Sequence, residues 1–455
     1  MSQHFFESIG LHVPTILLPE KGVDLTKWSV VACDQYTSEP EYWEKAKSIA
    51  GDQPSTLNVI YPEVFLEEEE QEKEQRISSI NQYMYKYLEQ GVLVSEKPGF
   101  ILVDRKTSHA PSRKGLVVAL DLEKYDYSRT SQTLIRATEG TVVERLPPRI
   151  KIRENSPIEL PHIMVLIDDP EKTVIEPLFN RRLEKVYDVQ LMMNSGHVTG
   201  YRVQDDESIR AVSDALSQLA SPQGFEKKYG VSGKGVLLFA MGDGNHSLAT
   251  AKAIWEARKK NGKNKANVMS HPARFALVEL VNVHDAGLEF EPIHRVVFNV
   301  NPDTMFKGME AFYKKSDSHF SMKSFKTKSE MQTALARTKK EASSKTHFVT
   351  YVNAAQQGFL AITNPRLNLE VGTLQSFLDL YLKEERASSI DYIHGEDVVE
   401  KIGTKPNNIG FCLPAMSKHD LFKTVIVDGV LPRKTFSMGE ADEKRFYLEC
   451  RKIVE

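Results

Sequence analysis

Residues 235–260 read GVLLFAMGDGNHSLATAKAIWEARKK, and this stretch predicts the unit around which the chain is organised. The continuous apolar run at residues 236–240 is typical of a strand that is buried on both faces. The Gly-Asp-Gly sequence at residues 242–244 predicts a turn with positive φ. A helix follows directly, and Asp243 or Asn245 is expected to cap it. The stretch therefore predicts a strand, a tight turn and a helix in immediate succession.

The start of this helix is a candidate binding site. The first N–H groups of a helix have no partners within it and lie at the positive end of its dipole, which suits an anion. The predicted site comprises Gly242, Asp243, Gly244, Asn245, His246 and Ser247. The alternative is that these polar residues only cap the helix.

Composition narrows the classes of protein to consider. A chain of 455 residues is long enough for two or three domains with real cores. The balance of 59 basic and 62 acidic residues argues against a nucleic-acid binder. Three widely separated cysteines form no zinc or redox motif and fit a reducing compartment. With no apparent signal peptide and no apolar run long enough to span a membrane, we expect a cytoplasmic protein without a membrane partner.

A second unusual stretch, at residues 129–169, is rich in basic side chains. Its members are Arg129, Arg136, Arg145, Arg149, Lys151 and Arg153. Guanidinium groups are suited to bidentate contacts with phosphate or carboxylate, so Arg136 and Arg145 are candidate ligand-binding residues, with Glu139 in the polar turn between them. The alternative is a solvated surface on which these arginines pair with nearby glutamates.

Further polar residues interrupt or end apolar segments elsewhere. His294 and Arg295 stand inside an apolar strand, where burial without partners is costly. Residues 34–37 follow a predicted strand end, and Lys434 lies in a rigid basic turn that could reach an anion. We expect residues 34–37, Arg136 to Arg145, the turn at 242–247 and His294-Arg295 to meet in one cleft, since a shared anion would make their burial tolerable.

The pattern of strands and helices predicts an α/β protein, with α+β as the alternative, built on a mixed sheet with flanking helices. We expect a main α/β domain over residues 1–300 that carries the GDGNHS turn. A lysine-rich helical connector is predicted at 301–345, and a smaller C-terminal α+β region at 346–455.

Four segments together resemble the DUF1015 family over nearly the whole chain. They are GDGNHSLATA, RATEGTVVERLPPRIKIRENSPIELPHIMVLIDDP, EPIHRVV and LPRKTFSMGE. The first is similar to the family's Asp-Gly-His-His-Arg box, except that Asn245 replaces the first histidine and Ser247 replaces the arginine. The resemblance therefore implies that Arg295, Arg136 or Lys434 supplies the positive charge for a phosphate.

The same box resembles the Gly-x-x-Arg box of the ParB/sulfiredoxin-like fold, which implies a core of that kind. In that fold the turn and helix start hold nucleotide phosphates, and it includes ParB CTPases, sulfiredoxins and an ADP-dependent free-serine kinase. The box here has no cysteine, and the chain shows no basic helix-turn-helix region. Sulfiredoxin chemistry and DNA partitioning are therefore disfavoured.

The leading hypothesis is an enzyme that binds a nucleotide or phosphorylated metabolite and transfers or hydrolyses a phosphoryl group on a small polar substrate such as an amino acid. Asp243 would bind Mg²⁺ or act as a base, and His246 would be the acid/base or phosphate donor. One alternative is a non-catalytic ligand-binding or regulatory module. Another is a metal-dependent hydrolase whose ligands are Asp243, His162, His246 and His294. The substrate and the oligomeric state stay open.

Overall fold

The computed structural model describes residues 4–262, 265–342, 345–384 and 387–455. The chain forms two compact units, one of residues 1–289 with 438–455 and one of residues 290–437. These boundaries differ from those predicted from the sequence. Residues 301–345, expected to form a helical connector, hold a strand as well as two helices and belong to the second unit. Over the described residues, none of the helices combines the length and the apolar character needed to cross a membrane.

The first unit is built from short strands and helices whose order follows the chain. Its strands are β1 (Phe5–Phe6), β2 (Leu11–His12), β3 (Leu17–Pro19), β4 (Leu93–Ser95), β5 (Phe100–Lys106), β6 (Arg113–Asp121), β7 (Tyr125–Asp126), β8 (Ile135–Arg136), β9 (Ile158–Glu159), β10 (Met164–Ile167), β11 (Glu184–Gln190), β12 (His197–Val203), β13 (Phe239–Asp243), β14 (Phe275–Asn282) and, near the C-terminus, β22 (Arg451–Lys452). Its helices are α1 (Leu25–Trp28), α2 (Pro40–Ala50), α3 (Glu70–Glu89), α4 (Leu146–Arg153), α5 (Asp206–Leu219), α6 (Pro222–Tyr229), α7 (Asn245–Asn261) and α8 (Lys265–Met269).

A large mixed sheet organises this unit, with the order β11-β12-β5-β6-β14-β10-β13-β8-β7. Neighbours from β11 to β14 are antiparallel, whereas β14 and β10 are parallel. Strand β13 runs antiparallel to β10 and parallel to β8. The expected α/β class with a mixed sheet and flanking helices is confirmed at this level.

Alternating residues of the central strands divide into two apolar cores. Ile101 and Val103 of β5 face a core shared with α2 and α3, whereas Phe100 and Leu102 face one shared with α5 and α7. Because successive side chains of a strand point to opposite faces, the sheet is buried on both sides. This explains why its central strands are almost wholly apolar.

The predicted strand before the GDGNHS turn lies further along the chain than expected. β13 begins at Phe239 and continues through Gly242 and Asp243, which were predicted to form the turn. Of the two glycines, Gly244 alone takes the left-handed conformation, with φ 76° and ψ 29°. Extension of the strand to Asp243 follows from its pairing with Met164 of β10, which the local sequence does not show.

The second unit carries an antiparallel sheet of its own. Its strands are β15 (Phe290–Phe298), β16 (His319–Phe325), β17 (Thr346–Asn353), β18 (Gln357–Thr363), β19 (Ser389–His394), β20 (Ile409–Cys412) and β21 (Phe436–Met438). Its helices are α9 (Pro302–Lys314), α10 (Lys328–Glu341), α11 (Glu370–Lys383), α12 (Glu396–Gly403) and α13 (Lys418–Val427). The order is β16-β18-β17-β20-β15-β19, and β21 also pairs with β15.

Candidate functional site

The junction between β13 and α7 leaves the start of the helix open. Gly244 is the N-cap residue, so the expected capping by Asp243 or Asn245 is wrong: among the described residues no side chain caps this helix. Asp243 instead accepts a hydrogen bond from Gly244 N at Oδ1, at 2.9 Å. The first helical bond runs from Leu248 N to Gly244 O. The N–H groups of residues 245–247 therefore have no partner within the helix.

Two polar side-chain atoms at this junction are buried and lack partners. Within the part of the chain that the structure describes, neither Asn245 Oδ1 nor His246 Nε2 has a hydrogen bond. An unmet buried polar atom costs roughly 1–3 kcal/mol, so a ligand group that bonds to these two atoms would recover that cost. The two atoms therefore mark the junction as a place where a ligand can be held.

His162, just before β10, forms the centre of a hydrogen-bonded relay. Its Nε2 lies 2.7 Å from Ser247 Oγ, and its Nδ1 lies 2.8 Å from the Tyr447 hydroxyl. The Tyr447 oxygen also accepts from Cys33 N at 3.1 Å. Asp34 Oδ2 is 3.9 Å from His162 Nε2. The relay thus joins segments from the beginning, middle and end of the chain.

Asp243 is held as a carboxylate. Burial by itself raises the pKa of Asp243, but the Lys444 ammonium and the Gly244 N–H lower it more, so the pKa lies below its ordinary value. Lys444 Nζ lies 3.2 Å from Asp243 Oδ2. The carboxylate keeps 30 % of its side-chain surface exposed and can therefore meet a ligand.

Positive charge reaches the junction from α4, which packs against α7. Arg149 donates from Nε to Glu63 Oε1 at 2.9 Å and from Nη1 to Arg145 O at 2.8 Å. Burial, followed by the charges of Arg149 and Arg145, lowers the pKa of His246 to about 4. His246 is therefore neutral at pH 7 and sits within the field of both arginines.

Arg136, a predicted ligand-binding residue, makes its hydrogen bonds to the backbone. It lies on β8 opposite Ala240, and its guanidinium donates to Thr133 O and Gly235 O. Both carbonyls lie toward the start of β13, whereas Asp243 lies at its end. Burial lowers the pKa of Arg136 to about 10. The side chain joins two backbone segments, and Glu139, in the loop that follows β8, is partly buried.

His294 and Arg295 make their hydrogen bonds inside the second unit. His294 Nδ1 accepts from Leu413 N at 3.1 Å. Arg295 donates to Gln375 Oε1 at 2.8 Å and to Ile293 O at 2.6 Å. Its guanidinium carbon also lies 4.6 Å from the centre of the Tyr392 ring. The expectation that burial of this pair requires an anion is wrong, because carbonyl oxygens, an amide and an aromatic face solvate the charge. Lys434, in the same unit, is exposed.

The structure therefore assembles a candidate site different in part from the predicted one. It combines the start of α7, the His162 relay, Asp34, the Asp243–Lys444 pair, and Arg145 with Arg149. Tyr447, Lys444 and Glu63 gave no signal in the sequence, because nothing local distinguishes them from ordinary core or surface residues. His162 was considered only as a metal ligand, and Arg149 only as one of a basic group.

Comparisons with known proteins identify a family and a few distant structures. A family model described as "Protein of unknown function (DUF1015)" matches residues 17–381. No curated protein matches the chain. A free serine kinase in complex with AMP is 11% identical, with a TM-score of 0.37, over 74% of this chain and 92% of that one.

Two further structures show a likeness at similar distance. A conserved hypothetical protein from Pyrococcus furiosus has a TM-score of 0.35 and 11% identity, over 74% of this chain and 95% of that one. C-terminally truncated SbnI from Staphylococcus aureus has a TM-score of 0.34 and 9% identity, over 71% of this chain and 82% of that one.

Proposed function

The chain belongs to the DUF1015 family, and we propose that it binds the phosphate of a nucleotide or phosphorylated metabolite at the start of α7 and transfers or hydrolyses that phosphoryl group. The observation that carries this proposal is the uncapped helix start beside two unpartnered buried atoms and two arginines. Helix N–H groups and guanidinium groups together favour an anion with several oxygens.

Each part of the proposed phosphate site has a separate task. The N–H groups of residues 245–247 donate hydrogen bonds to phosphate oxygens, and on ligand binding the Ser247 hydroxyl turns its proton from His162 Nε2 to a phosphate oxygen. Arg145 neutralises charge that develops on the transferring group, and Arg149 adds to this when its ion pair with Glu63 opens. Asn245 and neutral His246 orient the ligand. Because the pKa of His246 is about 4, that residue is a poor proton donor at pH 7, contrary to the acid role considered from the sequence.

His162, hydrogen-bonded through both ring nitrogens, is the residue that accepts a proton in this proposal. We propose that His162 Nε2 accepts the proton of an attacking hydroxyl group, which belongs to water or to a small alcohol substrate. The hydroxyl oxygen forms its bond to phosphorus in the same step. The bond from phosphorus to the leaving oxygen breaks, and the leaving group keeps the electron pair. Tyr447 holds the ring through Nδ1, and Asp34 stabilises the imidazolium that forms.

Mg²⁺ is the cation that such chemistry commonly uses. It takes one or two carboxylates together with phosphate oxygens and water, and it neutralises phosphate charge. Asp34 and Asp243 fit that requirement, since both carboxylates remain partly exposed beside His162. A transition-metal hydrolase is less well supported. Over the described residues, no three carboxylate, thiol or imidazole donors of the first unit come within 4.8 Å of one another.

One observation favours a second candidate, a module that binds its ligand without turnover. Asp243 is already paired with Lys444, so using it for Mg²⁺ or as a base requires that ion pair to open. A binding module would keep the pair closed and use only the helix start and the arginines. Both candidates predict that the ligand binds, but only the enzyme predicts that a reaction product forms.

Calorimetric titration of the full chain with ATP, ADP, AMP, phosphoserine and inorganic phosphate, with and without Mg²⁺, tests both candidates. We expect saturable binding of at least one compound, with affinity reduced about tenfold in Ser247→Ala through the loss of one hydrogen bond. Absence of binding at millimolar concentration would contradict the proposed site. Ser217→Ala, a hydroxyl on α5 that bonds only to the backbone, is the matched control.

Phosphorus NMR of the same mixtures separates enzyme from binding module. We expect His162→Gln to abolish transfer or hydrolysis while leaving affinity within a few-fold of the unaltered protein. Undiminished turnover in His162→Gln would remove His162 as the base. Binding without any product in the unaltered protein would establish the module instead.

A further inference from the structure

A cavity of about 130 Å³ lies beside the His162 relay in the first unit. The polar part of its wall includes His162, Ser247 and Arg149, together with Glu63, Arg153 and Glu159. The rest of its wall is largely apolar and comes from α3, α4 and neighbouring segments. The main apolar contributors are Ile60, Ile80, Met84, Ile152, Leu160 and Leu277. His162 and Ser247 therefore belong both to the candidate site and to the cavity wall.

The composition of the wall decides what can occupy this space. A hydroxyl or amide placed among the aliphatic side chains would lose its hydrogen bonds to water and find few partners. An apolar cavity of about 150 Å³ stays dry and binds benzene, so a space of nearly this size suits one compact ring or one branched chain of a few carbon atoms. The polar groups of the wall include the relay and two ion pairs, Arg149 with Glu63 and Arg153 with Glu159.

The space between α3 and α4 adjoins the cavity. A neighbouring groove of about 250 Å³ shares Tyr61, Leu66 and Ile152 with it. Lys73 and Lys151 line this groove, with the exposed pair of Lys151 and Glu70 at its edge. Exposed ion pairs of this kind are weak and open readily, so an anionic ligand can pass them.

We propose that this cavity holds the apolar body of the ligand whose anion binds at the start of α7. The ligand class is a small amphiphilic anion, a phosphate monoester that carries a compact aromatic or branched aliphatic group. This inference rests on the proposed function and narrows it, because the substrate predicted from the sequence was polar. Arg149 and Ser247 bind the head, His162 lies beside it, and the aliphatic wall selects the body.

Calorimetric titration with inorganic phosphate, glycerol phosphate and phenyl phosphate tests the proposal on the full chain. Glycerol phosphate matches the size of an organic phosphate but carries a polar body. We expect phenyl phosphate to bind about tenfold or more tightly than either of the others, since burial of its ring removes apolar surface from water.

Ile152→Phe narrows the cavity and provides the decisive variant. Ile152 is half-buried on α4, so the larger side chain can be accommodated by the fold. We expect the preference for phenyl phosphate to disappear while affinity for inorganic phosphate stays within about twofold. Ile49→Phe is the matched control, because Ile49 is a half-buried helical isoleucine packed on the same core and lies outside the cavity wall.

Each outcome bears on one of the two proposals. If phosphate binds and the phenyl group adds nothing, or if Ile152→Phe weakens both ligands equally, the cavity proposal is overturned and the phosphate site stands. If phosphate does not bind at all, the anion head of this proposal fails together with the proposed function. A neutral probe, benzyl alcohol, then tests the cavity alone. If benzyl alcohol binds and Ile152→Phe abolishes that binding, an apolar pocket is supported. If benzyl alcohol does not bind, the apolar pocket is overturned.

Discussion

One short C-terminal segment supplies two polar clusters of opposite character. Lys444 and Tyr447 enter the candidate site, whereas Arg445 and Glu449 enter a buried ion network. In the network Arg445 pairs with Glu279 and Glu449, and it donates to Pro161 O at 2.8 Å. The side chains of all three charged residues are at most 5 % exposed.

The difference lies in accessibility rather than in the kind of residue. The network excludes solvent and places each charge against an opposite one, so its effect is on stability and on docking the C-terminal segment to the sheet. The site keeps Asp34 and Asp243 partly exposed and leaves donors at the start of α7 without partners in the helix. A polar cluster becomes a candidate for ligand binding when some of its charged or hydrogen-bonding groups remain accessible to solvent.

The largest expected effect is on the network. Arg445→Met leaves the carboxylates of Glu279 and Glu449 buried without their cation, and we expect it to lower the free energy of unfolding by about 3–5 kcal/mol. Lys444→Met is the neighbouring control, because its ion pair with Asp243 is partly exposed and should cost about 1 kcal/mol or less. Urea denaturation monitored by circular dichroism measures both. Equal losses of unfolding free energy in Arg445→Met and Lys444→Met would contradict the proposed difference between the two clusters.

We expect low pH to reduce the stability of the folded chain through protonation of His246. Its pKa is lowered from 6.5 to about 4 in the folded chain, so between these values the unfolded chain binds more protons. Stability should therefore fall as pH decreases from 6.5 toward 4 and should not change through this residue above pH 7. We expect His246→Gln to reduce that loss by about 1–2 kcal/mol. Denaturation midpoints at several pH values from 4.5 to 7.5 measure it, and an unchanged slope would contradict the assignment.

Gly244→Ala tests the geometry of the helix start. The residue has φ 76°, and a Cβ there would meet Ile163 Cα at 3.1 Å. We expect a loss of about 1–2 kcal/mol in stability and weaker phosphate binding, because the free N–H groups would be displaced. Gly140→Ala is the control: its φ is not positive, and a Cβ there would meet nothing within 4 Å. Thermal unfolding and phosphate titration of both variants should separate them.

Lys434→Ala is expected to have the smallest effect. The side chain is exposed, and exposed substitutions usually change stability by less than about 0.5 kcal/mol. We expect phosphate affinity to stay within twofold, because the candidate site draws its charge from α4 and Lys444. A large loss of phosphate affinity on titration would return Lys434 to the site and break the comparison drawn above.

Much of the candidate site was open to prediction from local sequence. The strand, glycine turn and helix around Gly244 follow from a run of apolar residues, a residue that tolerates positive φ, and helix-forming alanines. The position of the strand was predicted three residues too early, because its last residues are held by pairing with β10 rather than by their own propensity. The distinction between Gly242 and Gly244 likewise depended on that pairing.

Long-range contacts account for what local sequence could not supply. The relay around His162 depends on contacts between residues far apart in sequence. Ser247 and Tyr447, which are 85 and 285 residues away, make hydrogen bonds with its two ring nitrogens. Arg295 is buried without requiring an anion for the converse reason, since Gln375 and three backbone carbonyls accept its hydrogen bonds within the second unit. Whether a buried charge needs a ligand depends on neighbours that may come from any part of the chain.

The sequence by itself determined the mixed α/β class, the family and the succession of strand, glycine turn and helix, because periodicity and the conformational freedom of glycine act over a few residues. The tertiary structure decided which polar residues face that helix start and that an apolar cavity lies beside it. The polar surroundings of the helix start and the cavity both form where α3, α4, β9 and the C-terminal segment pack together. No short sequence pattern encodes such an assembly. Local chemistry thus located the site, and its partners, charge and neighbouring cavity followed from how distant segments pack.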